Sequence, residues 1–124
     1  MDDYNRAIEE WKAAMKGGWI GVDLDGTFAQ YTSWRGPYHI GPPVPKMLER
    51  VKAWLAAGIR VKIMSARAAD NDPAVIFAIQ NYTELHTGHR LEVTNQKDYD
   101  MIELWDDRAV QVIPNTGLRA DGKD

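Results

Sequence analysis

Apolar residues recur at steps of three and four over residues 4–15, at Tyr4, Ala7, Ile8, Trp11, Ala14 and Met15. This spacing places them on one stripe of a helix that Gly17 and Gly18 end. The period then changes. Residues 19–24 form a short apolar run rich in β-formers that predicts a strand buried on both faces, with Asp23 and Asp25 at its C-terminal edge. Residues 28–43 hold tyrosine, tryptophan, proline and glycine without a period, which predicts a long irregular excursion or small hairpin. Pro45 opens an amphipathic helix with Met47, Leu48, Val51, Trp54 and Leu55 on one face, ended by Gly58. Residues 59–64 follow as a second strand. Asp72 and Pro73 are the cap and first position of a helix over 74–85 that Gly88 closes. Residues 91–94, 102–105 and 110–113 are three further short strands, and the polar tail over about 115–124 is expected to fray.

Strands alternating with helices predict one α/β domain over 1–124. It is expected as a three-layer, Rossmann-like unit with a mainly parallel sheet, helices on both faces and a small flap over about 28–43. A chain of 124 residues has room for one core. Its 44% hydrophobic and 27% charged residues are an ordinary globular balance. The net charge of −3 gives no broad attraction to nucleic acid or anionic membrane, so any phosphate recognition must come from a focused site. The chain has no cysteine, which excludes disulfides, thiolate metal sites and cysteine catalysis and points to the cytoplasm. The first sixteen residues lack a signal-peptide apolar stretch, and no run is long enough to span a bilayer.

In an open parallel sheet the strand ends meet along one edge, where ligands collect. Four separated groups fall at such ends: Asp23 with Asp25, Gly26 and Thr27; Ser65; Lys97; and Asp106 with Asp107. The two-residue spacing of Asp23 and Asp25 sets both acids on one side of an extended strand, able to divide nucleophilic and proton-transfer roles, while Gly26 allows a sharp turn. A solvated turn is the bland alternative. A calcium loop fits poorly, because Trp34 stands where its twelfth-position glutamate is needed. Ser65 is placed to donate to phosphate oxygens, although a serine taken alone more often caps a helix or turn. Lys97 offers a positive charge to a transferring group, or is simply solvated. Asp106 and Asp107 repel unless a cation or water shields them, and Mg2+ is the natural partner for such carboxylates.

Together, Asp23-Leu24-Asp25-Gly26-Thr27, Ser65, Lys97 and Trp105-Asp106-Asp107 resemble the four ordered motifs of haloacid dehalogenase superfamily phosphatases, over about two-thirds of the chain. The resemblance implies a phosphate monoester hydrolase in which Asp23 attacks phosphorus to form an aspartyl-phosphate. Asp25 would protonate the leaving oxygen and then activate water. It further implies Mg2+ held by the Asp23 carboxylate, the Asp25 carbonyl and Asp106, with Asp107 near. Ser65 and Lys97 would bind the phosphoryl oxygens, and Arg67 and Arg108 compete for that role.

The family usually carries a cap domain, and here the only counterpart is the 28–43 excursion, as in a nearly capless member with an open mouth. Tyr31, Trp34, Arg35, Tyr38 and His39 are then expected at the substrate's leaving group, unless the aromatics only pin the loop. Substrate-binding residues on this reading are Gly26, Thr27, Arg67, Trp34 and Tyr38. The expected partner is a phosphorylated small molecule or nucleic-acid end, with no membrane involved and a homodimer compatible. The alternatives are a phosphoacceptor signalling module and a non-catalytic binding protein on the same scaffold.

Overall fold

The computed structural model describes residues 17–123. The helix expected over 4–15 lies outside the described residues. The remainder is an α/β arrangement: β1 (Trp19–Asp23), α1 (Pro45–Ala56), β2 (Arg60–Met64), a 3-10 turn (Ala66–Ala68), α2 (Pro73–Thr87), β3 (Glu92–Thr94) and β4 (Met101–Trp105). The four strands form one all-parallel sheet in the order β3-β2-β1-β4, compatible with a Rossmann-like fold.

The steps from β1 to β2 to β3 run in one direction across the sheet, and right-handed crossovers place both connecting helices on the same face. That face carries Ile20, Val22, Val61 and Ile63, which pack with Met47 and Val51 of α1 and Val75 and Ile79 of α2 in one core. Among the described residues no helix covers the other face. There Gly21 leaves room for the Trp19 indole, since a Cβ would come within 3.0 Å of the ring.

The helix ends follow local chemistry. Asp72 accepts the Ala74 N–H at 2.9 Å and Pro73 occupies the first turn of α2. Gly88 adopts φ +80 and donates to the Glu84 carbonyl, a left-handed ending that favours glycine. Buried Thr83 joins helix to strand: its hydroxyl donates to the Gln80 carbonyl at 2.8 Å and accepts the Leu91 N–H at 3.1 Å.

The excursion between β1 and α1 is pinched at its base. Gln30 donates to the Pro42 carbonyl at 2.8 Å and Val44 to the Phe28 carbonyl at 2.7 Å. Gly41 lies so close to the Gln30 carbonyl that a Cβ would collide with it, and the Tyr82 hydroxyl donates to the Gly41 carbonyl at 2.7 Å. The loop is thereby tied to α2.

The strand expected over 110–113 does not form. Val110, Val112 and Ile113 are about half exposed, so no sheet face rewards their β propensity. The chain instead turns after Pro114 through Asn115 and Gly117, both at positive φ, and folds back. The tail expected to fray pairs with this segment through Ile113 N–H to Leu118 O at 2.8 Å and Ala120 N–H to Gln111 O at 2.9 Å. No helix among the described residues is long and apolar enough to cross a membrane.

Truncating fully buried Ile63 to alanine is expected to lower the unfolding free energy by about 2–5 kcal/mol, read from urea denaturation. Glu92→Ala, which removes the ion pairs that the exposed Glu92 makes with Arg60 and Lys62, is expected to cost about 1 kcal/mol or less in the same assay.

Candidate metal centre at the sheet edge

β1 lies between β2 and β4, so its C-terminal end delivers Asp23 to the middle of the sheet edge. A register shift in the β1–β4 ladder then decides what stands beside it. Trp19 pairs with Met101 but Ile20 with Glu103, so β4 carries one extra residue, and the ladder continues to Val22 opposite Trp105. The next step sets Asp106 alongside Asp23. In an unshifted register from the Trp19–Met101 pair, Trp105 would occupy this place.

Asp23, Asp106 and Asp107 each bring a carboxylate oxygen to within 4.8 Å of the others. Asp23 and Asp106 are half-buried and Asp107 is exposed. Thr27 braces Asp107 in both directions: its hydroxyl donates to Oδ1 at 3.2 Å and accepts the Asp107 N–H at 3.0 Å. The Arg108 N–H donates to Asp106 at 2.7 Å. Gly26, at φ +90, lets the chain pass so close to Asp107 that a Cβ would overlap its carboxylate. Burial, the charge of Asp106, the hydrogen bond with Asp107 and the charges of Asp107 and Asp25 together push the Asp23 carboxyl up to about 7.

Asp25 stands apart from this cluster. Both of its oxygens accept from Arg67, from Nε at 2.9 Å and Nη2 at 2.8 Å. A cavity of about 370 Å³ joins the two halves, lined by Asp23, Asp25, Tyr31, Trp34, Ala66, Arg67, Asp107 and Arg108. A second, of about 200 Å³, continues on the loop side, with Asp25, Tyr31, Arg35, His39 and Arg67 among its walls.

The aspartates, Gly26, Thr27, Arg67 and Trp34 are thus brought together, although Gly26 and Thr27 shape the carboxylate cluster and the Gly26 N–H is taken by the Ala29 carbonyl. Ser65 is buried beside the site, and its Oγ accepts the Arg67 N–H at 3.1 Å as the cap of the 3-10 turn. Tyr38 is exposed and lines neither cavity.

Lys97 is exposed, lines neither cavity, and has no side-chain partner among the described residues. The connection from β3 to β4 must return across the sheet face opposite α1 and α2. Asp98 is pinned there, accepting Trp19 Nε1–H at 2.8 Å and pairing with Lys62 at 3.7 Å. Arg108, which the sequence offered only as a competitor, lines the larger cavity, and its guanidinium is unpaired among the described residues. Its position directly after the acidic pair was the available signal.

The donor set suits a hard cation: three carboxylates, oxygen-only ligands, and a raised Asp23 that a positive charge would relieve. No protein-family model, curated protein or solved structure matches the chain.

The raised Asp23 makes a signed prediction. Its carboxyl holds a proton up to about pH 7 when folded and releases it near 3.8 when unfolded. The folded state therefore binds more protons between these values, and stability falls as pH rises through them. In EDTA, Asp23→Asn is expected to raise the thermal midpoint relative to wild type at pH 8, with the gain shrinking toward zero at pH 4. A gain independent of pH would contradict the assignment.

Proposed function

We propose that the chain is a Mg2+-dependent phosphate monoester hydrolase with Asp23 as nucleophile. The observation that carries this reading is the gathering of Asp23, Asp106 and Asp107 at the end of β1, with Asp25 next to them but outside the cluster. The motif resemblance to haloacid dehalogenase superfamily phosphatases supports it independently. On this reading the excursion is a small flap beside an open mouth, the complete architecture has three layers, and the substrate is a phosphorylated small molecule or nucleic-acid end.

Asp23, Asp106 and Asp107 would hold the cation, with the Asp25 carbonyl as a further oxygen. Bound there, Mg2+ would supply positive charge that keeps Asp23 ionised and neutralises phosphoryl oxygens. Arg108 is the protein cation best placed to share that neutralisation, ahead of Lys97 and Arg67. The Asp23 carboxylate attacks phosphorus while the ester P–O bond breaks, and Asp25 gives its proton to the departing oxygen. Asp25 then takes a proton from water as that water attacks phosphorus, which releases inorganic phosphate and restores Asp23. Positioning and charge neutralisation carry most of such a reaction.

One observation favours a second reading, a phosphoacceptor with slow turnover. Both Asp25 oxygens are engaged by Arg67, an arrangement that leaves proton transfer to compete with an ion pair.

Phosphate release from a panel of phosphomonoesters, including 3′- and 5′-phosphorylated oligonucleotides, separates the readings. Release is expected to need Mg2+ and to fall by about 10³-fold or more in Asp23→Asn. A persistent phosphoprotein without release favours the phosphoacceptor, and activity retained by the variant removes Asp23 from the mechanism. Arg108→Ala is expected to weaken apparent substrate binding by about tenfold, the scale of one charge-assisted hydrogen bond, measured as KM with the same esters.

A further inference from the structure

Arg67 stands where three parts of the chain meet, with its side chain only 6% exposed. Its base is fixed by the N–H bond to Ser65 Oγ. A guanidinium has five N–H donors in a rigid fork, and four are committed. Nε and Nη2 donate to the two oxygens of Asp25, at 2.9 and 2.8 Å. Nη1 donates to the Pro37 and His39 carbonyls at 3.2 and 2.8 Å. The Trp34 ring lies over the same group, its centroid 4.9 Å from Cζ. One Nη2 proton is left, so a bidentate grip on phosphate would cost a bond either to Asp25 or to the loop.

We infer that Arg67 is a positioning residue that binds residues 34–39 and the Asp25 carboxylate into one unit, so that the seating of the loop and the aim of Asp25 are set together. The fork is planar and rigid. Its Nε–Nη2 edge fixes Asp25, and its Nη1 corner then points in a direction that the loop carbonyls must meet. Displacing either end tilts the fork at the other. The coupling is reciprocal: releasing Asp25 loosens the loop as surely as releasing the loop frees Asp25. Lysine cannot replace this, because a point charge on a flexible stem holds one end and drops the other.

The catalytic consequence rests on the hydrolase reading. Asp25 gives its proton to the departing oxygen, so its aim matters most when that oxygen leaves as a poor leaving group. An alkyl ester depends on the donor, whereas p-nitrophenolate departs nearly unaided.

Hydrogen exchange tests the coupling without any substrate. In Asp25→Ala, Arg67→Ala and Arg67→Lys, the amides of residues 30–43 are expected to exchange about tenfold faster than in wild type, while those of β1 and α1 keep their protection. Faster exchange in the Arg67 variants but not in Asp25→Ala would overturn the coupling, and unchanged exchange in all three would remove the strut altogether. Arg67→Lys serves if the alanine variant does not fold. With Mg2+, kcat of Arg67→Lys is expected to fall about tenfold further on glycerol phosphate than on p-nitrophenyl phosphate, with KM changing less. Equal losses on both esters would overturn the positioning role. If wild type releases phosphate from no ester of the full panel, the hydrolase reading fails, and the exchange result still decides the coupling.

Discussion

A buried strand that ends in a carboxylate is the constraint from which the rest of this site follows. β1 has neighbours on both edges, and Trp19, Ile20 and Val22 are fully buried. A strand so enclosed cannot swing its terminus toward solvent, and Asp23 is carried to a place where water reaches it poorly. Burial is accordingly the largest cause of its raised pKa, ahead of the neighbouring negative charge. The extra residue in β4 adds a second cause by bringing the charge of Asp106 alongside. An unshifted register running on from the Trp19–Met101 pair would set Trp105 there instead.

Among the described residues, the two arginines lining the larger cavity do not relieve the cluster equally. Arg67 is spent on Asp25 and on loop carbonyls, so its charge acts on the carboxylate outside the cluster. Arg108 shares the cavity with Asp23 and Asp107, yet its guanidinium pairs with neither. Among the described residues the three carboxylates are therefore left to a proton or a bound cation for compensation. Thr27 reinforces this by holding Asp107 in place through two hydrogen bonds that contribute no charge. Neutral bracing of an anionic cluster keeps its demand for positive charge intact.

The parts of the molecule legible in the sequence are those set by short-range periodicity. β1, α1, β2 and α2 were readable because apolar spacing, Pro45, Asp72-Pro73 and Gly88 act within a turn or two of the chain. The acids at the ends of β1 and β4 were readable because a parallel sheet gathers its strand ends. The placement of Lys97, exposed and outside both cavities, has a cause that no local pattern carries. A connection from one sheet edge to the other must cross a face, and the anchoring of Asp98 by Trp19 and Lys62 keeps its neighbour there. The 110–113 segment has strand-like residues but joins neither edge of the sheet and pairs with its own tail. The Arg67 contacts lie furthest from prediction, because two of them end on backbone carbonyls that any residue supplies.

The site accordingly has two halves with different physical origins. The carboxylate half is fixed by strand register, and a change there requires shifting a ladder that also orders the core. The loop half is held by one arginine, an aromatic ring and the Tyr82 hydroxyl on Gly41, contacts that can be exchanged without disturbing the sheet. Chemistry placed on the first half is protected by the stability of the fold, whereas recognition placed on the second can vary with loop sequence. Asp25 belongs to both: it leaves β1 two residues after Asp23, and its carboxylate is aimed by the residue that seats the loop. That shared position makes Asp25 the point at which a change in the loop would reach the carboxylate half without moving a strand.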